Sequence, residues 1–273
     1  RASAAQRAGR AGRTAPGFCY RTWSEGAHAT LAAHTPAEIL EADLAPLMLE
    51  LAQWGARDAG RLRWLDIPPV PMQQQAIELL RELEALDAHD QITASGRAMA
   101  QLPLHPRLAH LLLRAAGSGA ESLAAQIAAL LSERDLLRAA AGARDPDLRT
   151  RLEVLKRGGA PDVDRAALLR VKQTAERLHA QVAATGNARV RVNTSAKNSV
   201  ADVSGDEITA GEILLAAFPD RIGQRRAGSE GRYLLSGGRG ALFRDATGLA
   251  RSEFIVVAAL DDQDREARIQ LAA

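Results

Sequence analysis

Gln6-Arg7-Ala8-Gly9-Arg10-Ala11-Gly12-Arg13 concentrates the chemistry of this chain into eight residues. Arg7, Arg10 and Arg13 recur at every third position, and Gly9 and Gly12 permit a tight turn that aims Arg10 and Arg13 at one point. Two guanidiniums converging on a phosphate can stabilise the charge that spreads over a transferring phosphoryl group, without any covalent step. Read more blandly, the same residues form a solvated basic loop or an Arg/Gly tail that binds RNA. Gly17-Phe18-Cys19-Tyr20-Arg21-Thr22-Trp23 follows, and its aromatic and β-compatible residues predict a short strand after the loop.

Outward from this point the pattern turns helical. Thr35, Pro36 and Glu38 predict a helix start, with Leu40, Leu44, Leu47, Leu51 and Trp54 on one face, Pro46 as a kink and Gly55 as a stop. Residues 73–85 and 94–101 predict two more helices separated by a short polar stretch. That order, with room for little more than a β-ribbon, is compatible with a winged helix. Apolar spacing predicts helices over 110–116, 123–131, 148–156 and 164–184, which reads as a bundle. Beyond Gly186 come Arg189-Val190-Arg191-Val192, a helix over 207–218, and β-like runs at 232–235, 241–243, 254–260 and 267–271, the signature of a small antiparallel barrel or sheet.

Composition excludes more than it identifies. A chain of 273 residues that is 47% hydrophobic and 25% charged buries a substantial core, and its 35 basic against 33 acidic residues leave a net charge of +2, too little to announce a nucleic-acid binder. Cys19 is the single cysteine, so an intrachain disulfide is excluded and a reducing cytoplasm fits. No apolar run reaches the ~20 residues needed to cross a bilayer, and no membrane partner is expected. His28, His34, His89, His105, His110 and His179 show no metal-ligand spacing, and no metal site is expected. Glu41 with Asp43, and Asp145 with Asp147, read as helix-end acids rather than catalytic pairs. The chain starts at Arg1 without methionine, inside motif-like sequence, which predicts that it was cut from something longer.

The octapeptide matches QRxGRxGR and so resembles motif VI of superfamily 2 helicases in their DEAH class. Thr35-Pro36-Ala37-Glu38-Ile39-Leu40 resembles the entry to the winged helix of those enzymes. The stretch from Gly96 to Arg107, ending Leu102-Pro103-Leu104-His105-Pro106-Arg107, looks like their junction into a helical ratchet domain. Ser132-Glu133-Arg134-Asp135, Phe218-Pro219-Asp220-Arg221-Ile222 and Gly231-Arg232-Tyr233-Leu234-Leu235 together resemble the HrpB type. The resemblance implies a mainly α chain with a small β component. Its parts would be a remnant of the second RecA-like domain over 1–33, a winged helix over 34–104, a ratchet-like bundle over 105–185 and an OB-like barrel over 186–273.

It also implies roles. Arg10 and Arg13 would be arginine fingers, and Gln6 would join them at the γ-phosphate or the attacking water of ATP. Yet G-x-x-x-x-G-K-S/T and the DEAH tetrad are both missing from these 273 residues. The nucleotide cradle and the ligands of Mg²⁺ would therefore lie in an N-terminal RecA-like domain elsewhere in the longer protein, and this chain alone would be inactive. The expected partner is a single strand of nucleic acid, RNA by family habit, with Arg189, Arg191, Arg225 and Arg226 as candidate phosphate contacts. A non-catalytic adaptor that binds nucleic acid through a winged helix and an OB-like barrel remains the alternative.

Overall fold

The computed structural model describes residues 1–56, 59–137, 145–186, 209–245, 247–261 and 266–273. Arg189 and Arg191, with the β-like run they belong to, lie outside the described residues.

The N-terminal segment departs from the sequence reading. Residues expected as a loop form helix α1 (Ala2–Arg10), which alanines at 2, 4, 5 and 8 favour and which carries Gln6, Arg7 and Arg10. Residues 17–23 form no strand, and Phe18 and Tyr20 are 88% and 87% exposed. Strand propensity becomes structure only against a pairing neighbour, and none of the described residues pairs with this segment. Helix α2 (Glu25–Thr30) follows, capped by the Ser24 side chain.

The expected helix start at Thr35 yields only a 3-10 turn, Glu38–Leu40. Helix α3 begins later, at Ala45–Trp54, with Pro46 in its first turn, where a missing N–H costs nothing; the proline starts this helix rather than kinking it. The Asp43 carboxylate accepts the Ala45 N–H at 2.8 Å, and Gly55 ends the helix at φ +83°. Leu44, Met48, Leu49 and Leu51 are buried, but Trp54, assigned to the same face from sequence, is 82% exposed.

Helices α4 (Val70–Glu82), α5 (Ala94–Ala100) and α6 (Pro106–Ala115) complete the first packing unit around Leu80, Leu83 and Met99. The anticipated ribbon between α4 and α5 is reduced to one antiparallel bridge, Leu86 to Ile92. Asp87 closes it by accepting the N–H groups of His89 and Gln91. Thr93 caps α5, accepting the Gly96 N–H at 2.9 Å while donating to the Glu84 carbonyl.

The second unit holds helices α7 (Glu121–Ser132), α8 (Leu148–Arg157), α9 (Arg165–Gly186) and α10 (Ala210–Ala217). α7 lies along α9, and α10 along α6, enclosing Leu111, Ile127, Leu148, Val171, Leu178 and Leu214. α10 starts in a reciprocal capping box between Thr209 and Glu212.

The third unit is a closed barrel of β1 (Ile222–Arg225), β2 (Arg232–Leu235), β3 (Gly240–Leu242), β4 (Phe254–Asp261) and β5 (Ala267–Ala272), ordered β1-β2-β3-β5-β4 and closing β4 onto β1. Only β3 and β5 run parallel. Tyr233 is fully buried in the barrel, edge-on to Phe243, and its hydroxyl donates to the Leu249 and Ser252 carbonyls. The Ala272 N–H donates to the Pro146 carbonyl at 2.8 Å, joining the barrel to the start of α8 by backbone. Among the described residues no helix is long and apolar enough to cross a membrane, and no cluster of metal-ligating side chains occurs.

Candidate functional site

Gln6 and Arg10 sit four residues apart on α1 and so share a face, while Arg13 lies in the turn just beyond the helix. The opposite side of α1, through Ala4 and Ala8, is half-buried; Ala4 and Arg7 line a shallow hollow with Trp23, Ala27 and Leu31. The chain is tied here by the Arg1 terminal amine on the Ala32 carbonyl and by the Ala2 N–H on Ala33. Gln6, Arg10 and Arg13 are all exposed, and among the described residues neither arginine has a carboxylate partner. Such a face can accept an anion from outside at little desolvation cost, because no carboxylate among the described residues must first be displaced.

Arg107, at the end of the Leu-Pro-Leu-His-Pro-Arg stretch, turns inward instead. Arg107, in the first turn of α6, forms a two-pronged ion pair with Asp220 at 2.5 and 2.8 Å and also donates to the Ala217 carbonyl. Its guanidinium carbon lies 5.1 Å from the centre of the Phe218 ring, and that of Arg221 lies 5.4 Å from the same ring. Burial raises the Asp220 carboxyl, but the hydrogen bonds and charge of Arg107 outweigh it and leave the group below its ordinary value. Beside it, burial and the Asp220 charge push Glu82 up. His105 holds Asp43 at 3.2 Å, and mainly through that hydrogen bond Asp43 falls to about 2. Burial lowers His110, whose Nδ1 faces the Ala216 carbonyl at 2.6 Å. The Leu-Pro-Leu-His-Pro-Arg junction therefore ties the approach to α3, the start of α6 and the entry to the barrel into one knot.

Arg151 makes a similar knot at the end of α7. It is 4% exposed, donates to Asp135 at 2.8 Å and to the Asp147 carbonyl at 3.0 Å, and reaches the Asp145 carbonyl as well. Glu133 accepts from Thr174 at 2.9 Å, so both acids of the Ser132–Asp135 motif fix neighbouring helices. Asp147 caps the start of α8 by accepting the Arg149 N–H, and Asp145 accepts the Asp147 N–H just before it, in keeping with their sequence reading as helix-end acids. Between this knot and the barrel opens a cleft of about 1130 Å³. Glu133, Asp135, Asp145, Asp245 and Asp261 outnumber Arg151, Arg244 and Arg268 among its lining residues, a poor balance for a polyanion.

Arg225 and Arg226 are exposed at the end of β1. Arg226 extends over Gly240 on β3 and lies 3.7 Å from Glu266, which also sits 3.5 Å from Arg232. The structure thus groups Arg226 with Arg232 on the barrel. Sequence reasoning missed Arg232 as a candidate, although its alternation with buried Tyr233 and Leu235 marks it as outward-facing.

Residues 76–104 match the family described as "Helicase associated domain (HA2), winged-helix". The chain is 34% identical over 273 residues to the ATP-dependent RNA helicase HrpB of Escherichia coli K12, covering 99% of this chain and 29% of that protein. By sequence and by fold, the chain is a relative of the HrpB-type DEAH-box helicases. Two solved structures of E. coli HrpB superpose with TM-scores of 0.66 and 0.72 at 33% and 31% identity, each across 99% of this chain. Half of the chain is also 36% identical to a human protein named as the probable ATP-dependent RNA helicase DHX35, over 136 residues. The chain spans less than a third of the length of these relatives.

Proposed function

We propose that this chain is the C-terminal part of an ATP-dependent RNA helicase of the DEAH class. It supplies the arginine fingers of motif VI and the modules that guide a single strand. The observation that carries the reading is the 34% identity to an RNA helicase along 99% of the chain. In this reading α1 and the residues up to 33 are the edge of the second RecA-like domain, 34–104 the winged helix, 105–185 the ratchet-like bundle and 186–273 the OB-like barrel.

ATP and Mg²⁺ supply a hydrolysable phosphoryl group and its counter-charge. The exposed Arg10 and Arg13, with Gln6 beside them, are suited to meet that anion once a nucleotide-holding domain is apposed. Alone, the chain lacks the phosphate loop and turns over no ATP. The protein works in the cytoplasm. A pure adaptor role would leave Arg10 and Arg13 exposed and without a task.

The strand-guiding half of this reading is tested by titrating a labelled oligouridylate with the chain at several salt concentrations. Binding is expected to be weak, with log affinity falling against log salt by about 0.7 per phosphate contacted. No binding even at low salt would overturn the guiding role.

A further inference from the structure

Helix α6 belongs to two cores at once. Ala109 lies in the core of the first unit, and Leu108, Leu111, Leu112 and Ala115 lie in that of the second. Along its second side runs α10, which leads through Phe218 and Asp220 into β1. The seam between α6 and α10 is therefore a place where the barrel is seated on the first unit.

A helix ends in carbonyls that its own backbone cannot satisfy. At the end of α10 two of them, on Ala216 and Ala217, are met by side chains of α6. His110 Nδ1 lies 2.6 Å from the first, and Arg107 donates to the second at 2.9 Å. Both side chains are buried, at 8% and 6% exposure. Arg107 also pairs with Asp220, and a guanidinium keeps its charge at any ordinary pH. Histidine does not.

A carbonyl can only accept, so Nδ1 carries the hydrogen of that contact. In the neutral ring Nε2 is then a bare lone pair, and it is buried with no hydrogen-bond partner among the described residues. A second proton would put there an N–H with nothing to donate to and a charge with little water around it, which is costly.

The charged neighbours do not reverse this. Burial holds the ring below its ordinary value; the Ala216 bond opposes it, Arg114, one turn on along α6, adds to it, and Glu84, in the turn after α4, opposes it. Arg107 is committed to Asp220, with Glu82 of α4 beside that pair and Arg221 across the Phe218 ring. Of the helices packed on α6, α10 carries only Glu212, bound in its capping box, and α7 only Glu121, which accepts the Gly117 N–H. On α3 and α5 the charged residues are Glu50 and Arg97, both exposed.

We propose that His110 is an acid-operated latch. Protonation at Nε2 drives the ring out of the α6–α10 seam, frees the Ala216 carbonyl and loosens the seat of the barrel, while Arg107 keeps the units joined. The folded ring resists a proton that the unfolded chain accepts near about pH 6.5. Its contribution to stability is therefore full above that value and is lost as pH falls below it.

The test compares the whole chain with His110→Asn, whose amide can donate to the Ala216 carbonyl but does not titrate. Urea unfolding between about pH 7.5 and about pH 5 should show the wild-type unfolding constant rising by up to about tenfold per pH unit, and rising less in the variant. Hydrogen exchange, with both proteins at about pH 5.5, reads where the loosening occurs. Peptides of α10 and β1 should exchange faster in wild type than in the variant, and those of α7 and α9 equally. Nitrogen NMR of wild type at about pH 8 should place the His110 hydrogen on Nδ1. Equal pH dependence in the two proteins, or a hydrogen on Nε2, overturns the latch. So does a wild-type excess of exchange spread evenly over α7, α9 and α10, which is ordinary acid unfolding. Should the variant not fold, wild type still decides: the amide signals of Leu215 to Phe218 must shift with the titration of the ring, and constant signals overturn the proposal.

Discussion

Arg10 and Arg13 stand at the surface without a carboxylate beside them among the described residues, whereas Arg107 and Arg151 are almost wholly buried and each grips an aspartate and a backbone carbonyl. Arg10, Arg13 and Arg107 belong to motifs that stand out in the sequence and Arg151 does not, yet it is the burial of each side chain that separates their tasks. A guanidinium held by its own chain is committed to architecture, because withdrawing it strands a partner charge in a poorly solvated place. One held by nothing is available for a charge that arrives from elsewhere.

The sharpest way to break this contrast is to truncate both kinds of arginine. In a longer protein that includes the nucleotide-holding domain, Arg10→Ala or Arg13→Ala should lower kcat for ATP by about 10³-fold, as arginine fingers commonly do. The urea midpoint of this chain should stay where it is. Phosphate release assays on the longer protein, with this chain alone as the inactive control, would check both halves. Undiminished turnover in both variants, or hydrolysis by this chain alone, would end the finger assignment.

Arg107→Ala should do the reverse, costing about 3 kcal/mol of stability by leaving Asp220 and the Ala217 carbonyl without their donor. Urea unfolding at neutral pH measures it, and pairing the change with Asp220→Asn should recover part of the loss. If Arg107→Ala unfolds at the wild-type midpoint, the buried knot is not structural.

The smallest effect belongs to Asp43, whose folded value of about 2 lies below its ordinary 3.8. Its contribution is present above the ordinary value and fades as pH falls through the folded one. Asp43→Asn should therefore flatten the stability profile between about pH 4 and pH 2. The side chain is half-exposed, so the change should stay below about 1 kcal/mol. Acid titrations followed by circular dichroism would show it against the slope that Asp220 retains. An unchanged profile would mean that the His105 contact has no weight in solution.

Legibility in the sequence followed the physics of each segment. Helices α7 to α9 and strands β2 to β5 were readable because apolar spacing and packing agree there, to within a few residues at each end. Strand β1, Ile222–Arg225, gave no signal, since four residues including a glycine show no alternation and are held by neighbours on both sides. Thr35, Pro36 and Glu38 fit the pattern of a helix start, but the apolar residues that stabilise a helix begin only at Leu44. Of the candidate site, the octapeptide was visible as a motif, but its helical backbone was not. The partner of Arg107 could not be foreseen, because Asp220 lies 113 residues away and only tertiary packing brings it near.

Gly96 shows how little space separates α5 from the turn before it. A methyl group there would run into the Ala85 carbonyl oxygen and come within 2.9 Å of the Ile92 side chain. The helix thus rests on the turn as a beam rests on a fulcrum, and its far end leads within a few residues to His105 and Arg107. A displacement at the fulcrum would be carried to the knot that unites the three units. One absent side chain therefore sets the alignment of a lever whose load is most of the molecule.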